Sequence, residues 1–250
     1  MPPAVIHFPP SVQTASISVL GGFAMSTQGA TVSVCRASQR VLAYLAVRRR
    51  PVSRLRLCST LWPDVVESRA FSSLRSALWK LTPLTSDVLE VTSDSIMLRA
   101  NVATDLHIFD GISAALETVE GTSFDGSSVG LLRDDLLPDW YEDWVVMERE
   151  RHTLRRLSAL EKWAGACCVV GNLTAAADAA LAVVHADPLR ESGHAVLIDA
   201  YLRQGNVGLA VQQLRRYESL LREEFGIQIA DGLRARIRSS VVEGDTVLSF

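Results

Sequence analysis

The stretch from Asp64 to Leu81, DVVESRAFSSLRSALWKL, decides the fold. Phe71, Leu74, Leu78 and Leu81 recur at i, i+3, i+7 and i+10, the spacing of a helix that buries one face. Arg69, Ser72, Ser73, Arg75, Ser76, Trp79 and Lys80 then share the outward side. Asp64 and Glu67 are spaced as a capping-box variant at the helix start, and Pro83 is expected to end it. Serines keep a helix surface low, so that it can lie close to a groove, while Arg and Lys match phosphates and guanine edges. The same face also suits plain solvent, so the flanking segments have to decide between the two.

Working outward, Ile17 to Met25 reads as a strand interrupted at Gly21-Gly22, and Thr31 to Val34 as a second, with Gly29 in the turn between them. Val41, Leu42, Leu45 and Ala46 mark a helix from about Ala37 to Arg49, stopped by Pro51. Pro51-Val52 is a short extended piece. Ser53 can cap a second helix carrying Leu57 and Leu61, which Pro63 ends. After the third helix, Val88 to Thr92 and Ile96 to Arg99 flank Ser93-Asp94-Ser95 as a hairpin. An N-terminal sheet, three helices and a terminal hairpin give the order of a winged helix. Beyond Asn101 the pattern is helical throughout: about Thr104 to Val119, a Gly/Ser-rich loop from Gly121 to Gly130, and a long charged helix from near Pro138 towards Val170. Gly171-Asn172 recurs as Gly205-Asn206, 34 residues on, among small and apolar residues at the same offset, the pattern of a tetratricopeptide (TPR) repeat. Asp187-Pro188 reads as N-cap and first residue of the helix between. The fold class expected is an α+β winged-helix domain followed by an all-α TPR-like helical-repeat domain, with a flexible tail over 1–15, the winged helix over 16–101 and the repeat domain over 102–250.

Charge follows the same division. The chain carries a net charge of −3, yet residues 1–100 hold 11 Lys/Arg against 5 Asp/Glu, and residues 101–250 hold 14 against 23. A basic first part suits a polyanion and an acidic second part does not. No run of about 18 apolar residues suggests a membrane span, and the proline-rich start is a poor signal peptide. Cys35, Cys58, Cys167 and Cys168 fit neither a zinc knuckle nor a disulfide framework, which points to buried free thiols in a reducing cytoplasm. P-loop, nucleophile-elbow, zinc-protease and dinucleotide signatures are missing, and the five histidines have no ligand spacing. Neither a metal, a cofactor nor an enzymatic activity is expected.

Further candidates lie outside the third helix. Arg48-Arg49-Arg50 could clamp phosphates or serve as cations at a helix C-terminus. Arg99, at the end of the hairpin, is a possible backbone contact, and the tip Ser93-Asp94-Ser95 carries no cation. Leu136 to Trp144 is dense in aromatic and acidic residues. There Trp140 and Trp144 read either as an i,i+4 core pair or, with Asp143, as a partner-facing patch.

Taken together, the ordered motifs carry a family likeness. Leu20-Gly21-Gly22-Phe23, Gln39 to Leu45, Pro51 to Arg54, Leu61-Trp62-Pro63-Asp64 and Ser73 to Leu81 resemble the DNA-binding half of the Streptomyces antibiotic regulatory protein family. Leu136 to Trp144, Glu148 to Arg151, Asp187 to Glu191 and Leu221 to Gly226 resemble its bacterial transcriptional activation domain. The likeness runs over about residues 16–240. It implies a response-regulator-type winged helix joined to a TPR-like domain, binding to direct repeats in double-stranded promoter DNA, self-association there, and recruitment of RNA polymerase for a secondary-metabolite gene cluster. Larger members append an ATPase module; without a P-loop, this chain resembles the small form. Two other classes stand beside it: a TPR scaffold whose winged helix does not bind DNA, and a sensor using the repeat groove as a pocket.

Overall fold

The computed structural model describes residues 15–118, 129–228 and 232–235. Its contacts divide the chain into two units. The first takes the described residues to Ile112 together with 129–153, and the second takes 113–118 and the described residues from Leu154 onward. The tail expected over 1–15 and the Gly/Ser-rich loop fall almost wholly outside the described residues.

In the first unit, β1 (Ala15–Ser18) and β2 (Ala24–Thr27) pair antiparallel, with Ile17 opposite Met25, and β3 (Ala30–Thr31) continues the meander. The single strand expected from Ile17 to Met25 is therefore two. Gly21 (φ +71°) and Gly22 (φ +149°) turn the chain between them in backbone conformations open to glycine. α1 (Arg36–Arg48) buries Val41, Leu42, Tyr44, Leu45 and Ala46. β4 (Val52–Ser53) leads into α2 (Arg54–Leu61), where the Ser53 hydroxyl accepts the Arg56 amide as anticipated.

α3 (Glu67–Lys80) differs from expectation in two details. Its N-cap is Val66 with no side-chain bond, so the Asp64/Glu67 capping box does not form. Its buried positions are Ala70, Leu74 and Ala77, followed by Leu81, while Phe71 and Leu78 are only half-buried. Small alanines at the contact let α3 sit close to its neighbours, and the bulkier residues turn to the flanks. Pro83 does not end the helical path: after a break at Leu81 it lies in the first turn of α4 (Thr82–Val88), where a missing N–H costs nothing. β5 (Leu89–Val91) and β6 (Ser95–Leu98) form the hairpin, and β4 pairs with β6 to give the order β4-β6-β5. β7 (Val102–Thr104) returns to pair parallel with β1, completing a four-stranded sheet in the order β3-β2-β1-β7.

α5 (Asp105–Thr118) is anchored at its start, where the Asp105 carboxylate accepts the amides of Val19, Leu20 and Leu106 at 2.8–3.0 Å. Residues 129–153 also belong to this unit. Leu20 bridges Leu136, and the amides of Gly21 and Leu137 donate to the carbonyls of Asp135 and Val19. α6 (Asp143–Val169) begins here, five residues later than Pro138, because Leu137 (φ +44°) and the Trp140 amide bond to the Leu137 carbonyl make a turn first.

In the second unit the remainder of α6 is followed by α7 (Leu173–Ala186), α8 (Glu191–Arg203) and α9 (Val207–Phe225). The 34-residue repeat is visible in the backbone of its turns. Gly171 and Gly205 have φ of +81° and +75°, and the Asn172 and Asn206 amides donate to the carbonyls of Cys167 and Tyr201, both at 2.9 Å. These turns produce two α-hairpins, α6–α7 and α8–α9, with Ile198, Ala210, Tyr217, Leu221 and Leu233 in one apolar cluster. Asp187-Pro188 does not start α8. Asp187 is the C-cap of α7, its carboxylate accepts the Leu189 amide at 3.3 Å, and α8 begins at Glu191 behind Arg190. No helix among the described residues is long and apolar enough to cross a membrane.

Candidate nucleic-acid interface

α3 presents an open face. Arg69, Ser72, Arg75, Ser76, Trp79 and Lys80 are exposed and Ser73 is half-buried. Ser72 and Ser76 donate their hydroxyls to the carbonyls of Ser68 and Ser72, at 3.0 and 2.9 Å. That folds both side chains against the helix and leaves their oxygen lone pairs outward. Trp79, 75% exposed, projects from the same helix.

The decisive contrast is in how the arginines are used. Among the described residues, Arg50, Arg69, Arg75 and Lys80 have no ion-pair partner. The α1 arginines do. Arg36 and Arg40 both reach Glu142, at 3.0 and 3.3 Å, and Arg48 reaches Glu148 at 3.2 Å. Arg40 also donates to the Leu61 carbonyl, and burial pulls its guanidinium below its ordinary value, with Glu142 opposing. Of the triplet read as either a phosphate clamp or a set of helix C-terminal cations, then, Arg48 is tied to Glu148, Arg49 pairs with Asp110 at 3.3 Å, and Arg50 alone stands open. Arg99 is exposed, and its Nε donates to the Leu89 carbonyl at 3.1 Å. Arg54, which sequence reasoning did not single out, donates to the Ser93 and Thr92 carbonyls at 3.0 and 3.1 Å and fixes the start of α2 to the hairpin turn.

Trp140 and Trp144 lie in the core, 4% and 6% exposed. Trp140 packs on Phe23 with the Arg36 guanidinium 3.7 Å over its ring, and Trp144 meets Tyr44 edge-on at 5.1 Å. Neither indole is open to a partner: Trp140 is covered by Phe23 and Arg36, and Trp144 at the start of α6 by Tyr44 of α1. Asp139, Tyr141 and Asp143 are the exposed members of the motif. Arg149 closes this turn by donating to the carbonyls of Leu136 and Trp140 at 2.8 and 2.6 Å. Of the cysteines, Cys35 is exposed and the other three are buried. Burial and the neighbouring Cys168 push the Cys167 thiol up to about 11, far from a reactive thiolate.

A four-stranded sheet, three helices and a hairpin carrying an open cationic helix, followed by paired helical hairpins, define the winged-helix regulators with a helical C-terminal part. Residues 110–239, more than half of the chain, match the bacterial transcriptional activator domain, and the chain belongs to that family. No curated protein sequence matches. Among solved structures, the chain is similar to Mycobacterium tuberculosis EmbR in complex with a low-affinity phosphopeptide: 24% identity and a TM-score of 0.70 over 92% of this chain. That match spans 65% of the EmbR chain and speaks for the fold. It agrees with the architecture implied by the resemblance to the Streptomyces antibiotic regulatory proteins.

Proposed function

We propose that the chain is a sequence-specific activator that reads promoter DNA through α3 and recruits RNA polymerase through its C-terminal part. Residues 16–101 supply the reader in this reading and residues 102–250 the activating part. The observation that carries it is the selective use of cations: the arginines of α1 are paired with Glu142 and Glu148, while Arg69, Arg75 and Lys80 on α3 are left open beside Trp79 and three serines. An unpaired cationic helix face with small side chains fits the major groove, and the exposed Arg50 is a candidate backbone contact. One winged helix reads one half-site, so direct repeats and a second copy on DNA follow for a stable complex. Asp143, with exposed Asp139 and Tyr141 beside it in the motif, is the candidate for a protein partner. Control of a secondary-metabolite cluster rests on the family resemblance.

The test is a binding titration against DNA upstream of neighbouring genes. If about five phosphates are neutralised, log K falls with log salt at a slope of roughly −4 to −5. A slope near zero would rule out phosphate-led recognition. A promoter-reporter assay run beside it reads activation.

A further inference from the structure

A second cationic locus lies on the first unit, at the end of β6 remote from the hairpin turn. Arg49, Arg99 and His107 line a cavity of about 250 Å³ together with Met97, Leu98 and Val102. Three separate pieces of chain bring them together: Arg49 caps the C-terminus of α1, Arg99 lies between β6 and β7, and His107 is in the first turn of α5. Each is set by its backbone. Arg49 is held in a left-handed conformation, φ +50°, with its amide on the Leu45 carbonyl. Arg99 has its amide on Val88 and its Nε on Leu89, which leaves the two terminal guanidinium nitrogens for another acceptor. The His107 amide is taken by the Thr104 hydroxyl at 3.2 Å. The carboxylate facing this group is Asp110, 3.3 Å from Arg49. Asp110 is shown against Arg49 alone, so the Arg99 guanidinium keeps its charge open to an anion of modest size, which Arg49 and His107 can join in binding through their remaining N–H groups.

The position sets this locus apart from the hairpin turn. β6 spans four residues, about 13 Å at the usual rise of a strand, so Arg99 stands well away from the turn that Arg54 ties to α2. The lining is half apolar. A phosphate with a few carbon atoms fits both the volume and the walls, at the small end of ligand pockets. A phosphate monoester offers three terminal oxygens, enough to accept from both guanidiniums and the imidazole, where a carboxylate offers two.

We propose that this cavity binds a small phosphate monoester, with the phosphate between Arg49, Arg99 and His107 and the organic part against Met97 and Val102. The experiment is isothermal titration of the full chain with glycerol 1-phosphate and with inorganic phosphate as probes, run on wild type, His107→Ala, Arg49→Ala/His107→Ala and Arg75→Ala. Expected are saturable binding by wild type, tighter for the monoester, and a loss of at least about tenfold in the double variant. His107 is exposed, so His107→Ala should keep the wild-type melting temperature while weakening the monoester by about threefold or more. Arg75→Ala should bind the probes as wild type does. A gel shift on the same proteins should show DNA affinity unchanged in the double variant. No saturable binding of either probe, or equal binding by wild type and the double variant, would overturn the proposal. So would a double variant that loses DNA affinity while wild type binds neither probe, since the locus would then hold a DNA backbone phosphate.

Discussion

At the scale of single residues, the open face of α3 makes the sharpest demands. If Arg75 or Arg69 reads a base edge, its replacement by Ala should cost about 1–3 kcal/mol and relax preference at one base pair. A phosphate contact would weaken all sequences alike, so affinities measured on a panel of single-base variants separate the two. Arg69→Ala, Arg75→Ala and Lys80→Ala combined should abolish specific binding in a protein that melts normally; intact specificity in that variant would move the reader elsewhere. Another residue-scale effect concerns pH in the second unit. His194 is buried, with Nδ1 accepting from Gln213 at 2.8 Å and Nε2 donating to the Pro188 carbonyl at 2.9 Å, stacked on Tyr217. Burial lowers its pKa below 6.5, so the folded protein holds the neutral ring. The unfolded chain then binds the proton more readily, and this contribution is complete above about 6.5 and lost as pH falls below it. Glu161 adds a second step. Burial opposes its ionisation, but the bonds from Arg190 and Ser192 at 2.6–3.0 Å outweigh burial and hold it below 4.5. Its contribution is present above about 4.5 and lost under it. Melting temperatures should therefore decline from pH 7 to pH 5.5 through His194, and further under pH 4.5 through Glu161. His194→Gln should flatten the first decline; an unchanged first decline in that variant would assign it to other groups.

Among the secondary elements, the caps are where sequence and stability meet. Asn172 accepts the Ala175 amide at 3.3 Å and starts α7, so Asn172→Ala should cost about 0.5–2 kcal/mol by urea unfolding. Asn206 takes the matching turn position without a side-chain bond to its helix, and Asn206→Ala should cost clearly less. Equal losses at the two sites would mean that backbone preference, rather than the cap bond, sets the cost. Such turns were legible in the sequence because Gly-Asn is a local signal: it needs only the left-handed conformation of the glycine and the asparagine amide bonded back to the preceding helix. The α1 and α2 helices and the hairpin were legible for the same reason, through periodicity and through Ser53. What escaped was decided at a distance. β7 has three residues, too few for a period of two to show, and its partner β1 lies over 80 positions earlier. The neutralising of Arg36 and Arg40 by Glu142 joins residues over 100 positions apart, so no spacing rule could separate the tied arginines from the open ones. Phe71 looked like core because it is large and in phase. Yet close packing of α3 selected Ala70 and Ala77, and Phe71→Ala should now cost less than the about 2–5 kcal/mol of a fully buried large side chain.

For the whole molecule, the break in composition and the boundary of packing fall at different places. Charge and period change near Asn101, but the first compact unit runs on through 112 and takes in 129–153. A fragment ending at residue 101 would lose β7 from the open edge of β1. It would also lose the Asp105 carboxylate that satisfies the amides of Val19 and Leu20, and both indoles that cover Phe23 and Tyr44. Each buried Trp removes on the order of 150–250 Å² from water, about 4–6 kcal/mol apiece at 25 cal/mol per Å² as an upper estimate. Losing two of them together with the fully buried Phe109 and Leu132 matches or exceeds the roughly 5–15 kcal/mol that holds an ordinary domain together. Its α1 arginines would also be released from Glu142 and Glu148, which makes the fragment more cationic and prone to bind any polyanion. Fragment 1–101 should therefore show no cooperative thermal transition and only weak, sequence-indifferent DNA binding. Fragment 1–153, which keeps those partners, should melt cooperatively and shift target DNA without activating a reporter. Circular dichroism melts and gel shifts of the two fragments beside the full chain read this directly. A cooperative melt and specific binding by 1–101 would show that the reader folds within the compositional boundary and that residues 129–153 only dress its surface.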